Sequence, residues 1–262
     1  MIGIFDSGVG GMTVACAIEQ FLPGHPICYL GDIARTPYGT KSSRTITSYS
    51  IENTQFLINQ GAEIVVIACN SASSVASDQL RKKFNIPIIE VISPAVQQAL
   101  KETRSGRIGI IGTRATIRSK VYEKQILCKE PDFKVFSKAC PLLVPLVEEG
   151  WLNKRETKMI LRRYLHDLKN KQIDTLVLGC THYPLLKHLI QPRIGKKIKL
   201  IDSSVSTAQY LKSYLESKKL LPVEKDNATK IQKSTFFVTD LTQSVQQVAE
   251  KIFQRPLKLE RI

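Results

Sequence analysis

Several features are missing from this sequence, and each absence excludes a class of protein. Its six cysteines include no Cys-x-x-Cys pair, so their spacing indicates neither a zinc site nor a disulfide framework. No apolar run reaches the length of a transmembrane helix. The segment from Met1 to Asp6 lacks the basic start and the long apolar stretch of a signal peptide. Together these absences favour a protein of the reducing cytoplasm.

Charge of negative sign is also scarce, since 38 Lys and Arg residues face 23 Asp and Glu residues and the net charge is +15. The basic residues are spread along the chain in short groups, and no nucleic-acid-binding motif accompanies them. We therefore expect a small anionic substrate as the partner, and neither a nucleic acid nor a membrane. A homodimer is left open.

The chain is 262 residues long and 43% hydrophobic, which suffices for one large domain or two smaller ones. Strand-like and helix-like segments alternate along it, and this predicts α/β architecture with parallel sheets covered by helices on both faces. Strands are predicted near residues 2–5, 27–31, 64–68, 88–91, 107–111, 133–137, 173–178, 198–201 and 235–239. Helices are predicted at 11–21, 42–60, 73–84, 94–103, 115–128, 153–170, 183–190, 204–217 and 241–253, and a surface loop from Pro222 to Ser234.

Two short segments carry the strongest chemical signal. Each is an apolar, mostly β-branched run that ends in a small residue and a cysteine: Ile-Val-Val-Ile-Ala-Cys at 64–69 and Leu-Val-Leu-Gly-Cys at 176–180. This pattern predicts a buried parallel strand with a thiol at its carboxyl end, where α/β proteins place ligands and catalytic groups. A polar pair follows each cysteine, where we expect a helix to begin and its N-terminal field to favour thiolate.

A weak internal repeat suggests that the two cysteines face each other. Ile2-Gly3-Ile4-Phe5 resembles the segment Ile-Gly-Ile-Ile at 108–111, and each start is followed at a similar distance by one of the two cysteines. Two similar α/β units would then share a cleft with one thiol on each wall. The alternative is that both cysteines are inert core residues, because free cysteine is often fully buried.

A glycine-rich loop, Asp-Ser-Gly-Val-Gly-Gly at 6–11, directly follows the first predicted strand. Its glycines permit a tight turn and a close approach of the backbone to a ligand. A dinucleotide-binding fingerprint is the competing interpretation, with Asp32 as its acidic residue, but Thr13 occupies the third glycine position. A purely structural turn is a further alternative.

Three other segments are candidates for the site. Thr-Pro-Tyr-Gly at 36–39 is a turn after a strand. An apolar segment with two prolines, residues 141–150, delivers Glu148 and Glu149 into a predicted loop, or else into the start of a solvated helix. His182 follows the second cysteine by two residues, close enough to tune its pKa or to bind a substrate.

Taken together, the motifs resemble those of glutamate racemase, in the aspartate/glutamate racemase group. The motifs, in order, are D-S-G-V-G-G (6–11), P-Y-G (37–39), A-C-N-S-A (68–72), P-L-V-E-E-G (145–150) and G-C-T-H-Y-P (179–184). Their order and spacing match over nearly the whole chain. Aspartate racemases of the group usually carry glutamate after the second Cys-Thr, where this chain has His182.

The resemblance implies a cofactor-independent isomerase that interconverts L- and D-glutamate with two cysteine acid/base groups and supplies D-glutamate for peptidoglycan. It implies two pseudo-symmetric doubly wound domains, residues 1–95 with 208–262 and residues 96–207, with the active site in the cleft between them. Carried over by position, the catalytic residues are Cys69, Cys180, Asp6, His182 and Glu149, the last preferred to Glu148. The substrate-binding residues are Asp6, Ser7, Tyr38, Gly39, Asn70, Ser71, Thr181 and His182, and no metal ligand is implied.

Two alternatives remain at this point. One is a racemase of another acidic amino acid such as aspartate. The other is a basic protein that binds nucleic acid or a DNA-linked enzyme, for which the net charge of +15 is the motivation.

Overall fold

The computed structural model of the protein describes residues 1–220 and 233–262. Most of the predicted loop from Pro222 to Ser234 lies outside these residues. The strands are β1 (Ile2–Asp6), β2 (Ile27–Gly31), β3 (Ile64–Ile67), β4 (Ile88–Glu90), β5 (Arg107–Gly112), β6 (Lys134–Ala139), β7 (Thr175–Gly179), β8 (Lys199–Asp202), β9 (Thr235–Val238) and β10 (Glu260–Arg261).

Helices separate most of the strands, as the alternating pattern predicts. They are α1 (Met12–Phe21), α2 (Ser43–Asn59), α3 (Asn70–Lys83), α4 (Ile92–Glu102), α5 (Arg114–Ser119), α6 (Val121–Lys129), α7 (Leu143–Glu148), α8 (Arg155–Asn170), α9 (Lys187–Ile194), α10 (Ser203–Ser217) and α11 (Gln243–Phe253). Short 3₁₀ turns cover Ile33–Arg35, Tyr38–Thr40 and Tyr183–Leu186.

The described strands form two parallel sheets. The first has the order β10-β9-β2-β1-β3-β4, and the second has the order β6-β5-β7-β8. The described strands pair in parallel throughout. β1 lies between β2 and β3, and β5 likewise lies between β6 and β7. This is the mixed α/β class with doubly wound parallel sheets that the sequence predicts.

Side chains alternate between the two faces of each sheet, so each sheet is buried on both sides. On β1, Ile4 packs in the core that contains α1 and α10, whereas Phe5 packs in the core that contains α2 and α3. On β5, Ile110 packs with α4 and α6, whereas Ile111 packs with α8 and α9. The resemblance between the starts of β1 and β5 therefore reflects equivalent positions at the centres of two sheets.

The chain passes from the first sheet to the second over α4 and returns over α10. Ala95 and Ala99 of α4 pack on the second sheet, whereas Ala208 and Leu211 of α10 pack on the first. The predicted domain boundaries, 95/96 and 207/208, fall inside these two helices. The exact division into domains stays a prediction.

Local differences from the predicted elements have identifiable causes. The helix predicted at 115–128 is interrupted at Lys120, which adopts a left-handed conformation with φ of 56°. The helix predicted at 183–190 begins as a 3₁₀ turn that contains Pro184, and the α-helix starts only at Lys187. The predicted loop at 141–150 contains α7, because Pro145 lies in the first turn of that helix, where proline is tolerated.

Candidate active site

The two cysteines lie at corresponding strand ends, one in each sheet. Cys69 follows β3 by two residues and is the N-cap of α3. Cys180 directly follows β7. Both thiols are buried, with 5% of each residue exposed. The two loops are near enough that the charge of Cys180 contributes to the pKa of Cys69.

The loop after β1 brings the two halves into contact. A β-carbon at Gly10 would collide with the ring of His182 and would lie 2.7 Å from Oγ1 of Thr181. Thr13 donates a hydrogen bond to the carbonyl of Thr181, with 3.1 Å between the oxygens. The glycine is therefore required because the loop of the first sheet packs directly against the loop that carries Cys180.

Cys180 belongs to a chain of three polar groups. Its Sγ lies 3.8 Å from Nδ1 of His182, and Nε2 of the same ring lies 3.1 Å from Oε1 of Glu148. Burial lowers the pKa of His182, but the hydrogen bonds and negative charges of Cys180 and Glu148 outweigh burial and raise it to about 10. The ring is therefore an imidazolium at neutral pH, with one N–H directed at each partner.

This arrangement corrects two expectations. Glu148, and not the preferred Glu149, is the carboxylate that contacts His182, and the side chain of Glu149 is exposed beyond the end of α7. The expected helix N-terminus after Cys180 is a 3₁₀ turn, so no α-helix field begins at that thiol. The cationic group beside Cys180 is His182, and not the N-terminus of an α-helix.

Cys69 has a different environment. Its Sγ lies 3.5 Å from the hydroxyl of Ser7, and the amide of Ala72 is also directed at the sulfur. Burial and the charge of Asp6 nevertheless raise the pKa of the Cys69 thiol to about 12. Cys69 is therefore a neutral thiol at neutral pH.

Asp6 lies between the two thiol loops. One carboxylate oxygen accepts the amide N–H of Gly8 at 2.9 Å, and the other accepts the hydroxyl of Thr181 at 3.3 Å. Burial raises the pKa of Asp6 to about 6, although His182 and these hydrogen bonds oppose the shift. Asp6 is thus a buried acid that changes its charge close to neutral pH.

Residues after Cys69 supply polar groups at the start of α3. The Oδ1 of Asn70 accepts a hydrogen bond from Tyr122 at 2.6 Å, whereas its Nδ2 is buried without a partner among the described residues. The hydroxyl of Ser71 lies 2.9 Å from that of Thr113. Gly39 packs so closely that a β-carbon there would lie 2.7 Å from Cβ of Thr113. Both Asn70 and Ser71 are therefore held by groups of the second sheet and its helices.

Sequence reasoning missed Thr113 and Tyr122. Thr113 directly follows β5, as Ser7 directly follows β1, so the repeat itself carried a signal for it. Tyr122 lies in a helix and has no local signal.

Tyr38 has a more limited role than the sequence suggests. Its hydroxyl donates to Asp32, accepts from Nδ2 of Asn53 at 3.0 Å, and is fully buried. The hydroxyl is therefore already bound and is unavailable to a substrate in this structure. The carboxylate of Asp32 is also bound by Nε of Arg35 at 2.7 Å, which leaves it unavailable for the ribose contact of a dinucleotide fingerprint.

No helix in the described ranges, 1–220 and 233–262, is long and apolar enough to cross a membrane. Within the same ranges, no group of three or more His, Cys, Asp or Glu side chains is arranged to hold a metal ion.

Comparison with known proteins identifies the family. Residues 12–211 match the Asp/Glu/Hydantoin racemase family. The chain is 47% identical over 261 residues to a glutamate racemase of Persephonella marina, covering 100% of this chain and 96% of that protein. A glutamate racemase isoform from Bacillus anthracis has a similar structure, with a TM-score of 0.93, 36% identity, and coverage of 100% of this chain and 97% of that one.

A second solved structure, glutamate racemase from Francisella tularensis in complex with D-glutamate, has a TM-score of 0.90 at 38% identity, covering 100% of this chain and 96% of that one. These likenesses extend over the whole chain and include both sheets. The chain belongs to the Asp/Glu/Hydantoin racemase family and, within that family, to the glutamate racemases.

Proposed function

We propose that this protein interconverts L- and D-glutamate, with Cys180 and Cys69 acting on opposite faces of the α-carbon. The observation that carries the proposal is the pair of buried thiols at corresponding strand ends, with Asp6 hydrogen-bonded to Thr181 between the two thiol loops. Racemisation needs a base on one face and an acid on the other. Thiolate and thiol suit both roles, because one proton converts each into the other.

The proton balance of the reaction is simple. For L-glutamate, the Cys180 thiolate takes the α-proton, and the electron pair of the C–H bond remains as a carbanion delocalised into the carboxylate. The Cys69 thiol then donates its proton to the opposite face, which forms D-glutamate. The products are a Cys180 thiol and a Cys69 thiolate, the starting arrangement for the reverse direction.

The electrostatics of the two loops support this assignment of resting states. The imidazolium of His182 faces Cys180 and stabilises negative charge there. Cys69 retains its proton, because burial and Asp6 raise its pKa to about 12. One thiolate and one thiol are thus favoured over two facing thiolates.

Stabilisation of the carbanion requires hydrogen-bond donors near the α-carboxylate. The unpartnered Nδ2 of Asn70 and the hydroxyls of Ser71 and Thr181 are the side chains that we assign to this task. Amide groups in the first turn of α3 add donors and a favourable dipole. Because the thiols and Asn70 are almost completely buried, entry of glutamate requires the two loops to separate.

Glutamate is favoured over aspartate, because relatives at 42–48% identity are glutamate racemases. Aspartate racemases, such as that of Picrophilus torridus, share the fold at 18% identity, with a TM-score of 0.56. We further propose that the product serves peptidoglycan synthesis in the cytoplasm. The free state of all six cysteines supports a reducing compartment. The homodimer remains a prediction, since the described site is built from one chain.

The purified protein, without added cofactor, should invert L-glutamate and leave L-aspartate unchanged. Chiral analysis of the product measures the inversion, and incorporation of deuterium at the α-carbon in D₂O reports the proton transfer. Inversion of aspartate alone would assign the second racemase function. No inversion of either amino acid, together with salt-sensitive binding to DNA, would favour the nucleic-acid alternative.

A further inference from the structure

Tyr122 connects the residue that follows one thiol to the residue that precedes the other. It lies in α6, packs on the second sheet and is 3% exposed. Its ring carbon Cε2 lies 3.3 Å from the position of a β-carbon on Gly179, which precedes Cys180. Its hydroxyl lies 2.6 Å from Oδ1 of Asn70, which follows Cys69.

This contact fixes the direction of the Asn70 amide. The buried phenol needs an acceptor for its proton, and Oδ1 of Asn70 is the acceptor that the described residues offer. Burial first, and the charges of Glu90 and Cys180 next, hold the pKa of Tyr122 well above its ordinary value, so the phenol stays a donor. With Oδ1 occupied by Tyr122, the buried Nδ2 is the free donor of the amide.

An amide turned the other way would place its oxygen where a substrate carboxylate binds, and the two oxygens would repel each other. A freely rotating amide would also lose entropy on each binding event. Both effects weaken binding without changing the acid/base chemistry of the thiols.

We propose that Tyr122 is a positioning residue that orients the amide of Asn70, so that Nδ2 points at the α-carboxylate of the substrate when the two halves of the site are together. This inference rests on the proposed function of the same site. Tyr122 touches no reacting atom and acts through Asn70, across the contact between the two thiol loops.

Tyr122→Phe is the direct test, because it keeps the ring against Gly179 and removes only the hydroxyl. We expect kcat/KM for glutamate to fall about tenfold, through a rise in KM and a fall in kcat, because Asn70 binds the α-carboxylate and also stabilises the carbanion; the shape of the pH profile should be unchanged. Because the two enantiomers have equal free energy, kcat/KM must fall by the same factor in both directions. Tyr210→Phe is the matched control, since Tyr210 is exposed on α10 and should leave KM unchanged.

A double-mutant cycle distinguishes positioning from general destabilisation. In an Asn70→Ala background, Tyr122→Phe should cause no further rise in KM. Additive effects in the cycle, or an unchanged KM in the folded single variant, would overturn the proposal. So would a shifted pH profile at constant KM, because this would place the effect on the thiols.

Asn70→Asp keeps the test available if Tyr122→Phe does not fold. A carboxylate can still accept from Tyr122 but offers no donor to the substrate, so KM should rise. An unchanged KM would overturn the proposal. Glutamate and aspartate are assayed in parallel. If the proposed function is wrong, the wild-type protein turns over aspartate alone. The effect of Tyr122→Phe is then measured with aspartate as the substrate.

Discussion

The loops that carry Cys69 and Cys180 correspond in backbone position and differ in charge. Each follows a strand that pairs with the central strand of its sheet, β3 with β1 and β7 with β5. Cys69 then caps a 14-residue α-helix, whereas Cys180 precedes a 3₁₀ turn. The α-helix is therefore found beside the thiol that stays protonated.

The nearest ionisable neighbours explain this reversal. Cys69 lies beside the carboxylate of Asp6, and burial together with that charge outweighs the hydrogen bonds with Ser7 and with the amide of Ala72. Cys180 lies beside the His182 imidazolium, which Glu148 in turn stabilises. At Cys69, burial and a nearby carboxylate thus outweigh the field of the helix terminus.

The two cysteines thus catalyse a symmetric reaction although the groups around them differ in charge. The two thiols exchange roles in every turnover. When Cys69 loses its proton, the repulsion between its thiolate and the carboxylate of Asp6 must therefore be reduced. Asp6, with a pKa of about 6, can take up a proton at little cost and so reduce the repulsion. Variants of the two loops should therefore affect the reaction unequally.

The largest effect is expected from replacing either thiol. Cys69→Ser and Cys180→Ser should each lower racemisation by about 10³-fold or more, because a serine hydroxyl is a poor base at neutral pH. Circular dichroism should show a retained fold, since the change is nearly isosteric. Full racemisation by either variant would remove that cysteine from the mechanism.

Irreversible elimination separates the two variants by the hand of the substrate. With a glutamate analogue that loses a leaving group from Cβ after deprotonation, one thiolate suffices. Cys69→Ser should process the L-analogue through Cys180, and Cys180→Ser should process the D-analogue through Cys69. Loss of both analogues by both folded variants would contradict the assignment of faces.

The next effect in size concerns the cation beside Cys180. His182→Asn should lower racemisation by about 10²-fold, because the variant removes the charge that stabilises the Cys180 thiolate. Elimination of the L-analogue should fall strongly, whereas elimination of the D-analogue should fall less. His188→Asn, at an exposed histidine, is the matched control. Equal losses for the two analogues would show that His182 serves both halves alike.

A smaller effect is expected from the carboxylate behind His182. Glu148→Gln removes a negative charge that raises the pKa of His182, so this pKa should fall. The alkaline limit of activity should then move to lower pH, and kcat near neutral pH should fall about tenfold. Glu149→Gln alters the adjacent, exposed residue and should have little effect. The opposite ranking of these variants would restore Glu149 as the supporting carboxylate.

The choice between these glutamates shows where the sequence misleads. Two prolines favour a loop over residues 141–150. A loop has no regular periodicity from which to deduce which side chains face inward. In the structure, Leu143, Val144 and Val147 form the buried side of α7, and Glu148 follows Val144 by four residues. Helical spacing would therefore have selected Glu148.

The strands and both thiol positions could be predicted, because buried parallel strands leave continuous β-branched runs in the sequence. The order of strands within each sheet could not, since alternation alone fits several arrangements. Neither could the contacts of Tyr122 with Asn70 or of Gly10 with His182, which join residues far apart in the chain. The sequence shows a glycine at position 10, but nothing near it in the chain indicates that His182 packs against it.

The smallest predicted effect concerns the pH dependence of stability. The pKa of His182 is about 10 in the folded protein, against an ordinary value of 6.5, so the folded state binds this proton more tightly than the unfolded chain. The resulting stabilisation is complete below pH 6.5 and is lost as pH rises towards 10. The raised pKa of Asp6 has the same sign, but its window lies between 3.8 and about 6.

The interval from pH 6.5 to about 7.5 therefore isolates His182, since it lies above the window of Asp6 and about a unit below the ordinary pKa of thiols. Wild-type protein should lose stability to urea as pH rises across this interval, and His182→Asn should show a flatter dependence. His188→Asn should keep the wild-type slope, because its ring is exposed. If wild type and His182→Asn give parallel curves, His182 is neutral in the folded protein, and the charge difference between the two thiol loops must be much smaller than their hydrogen bonds imply.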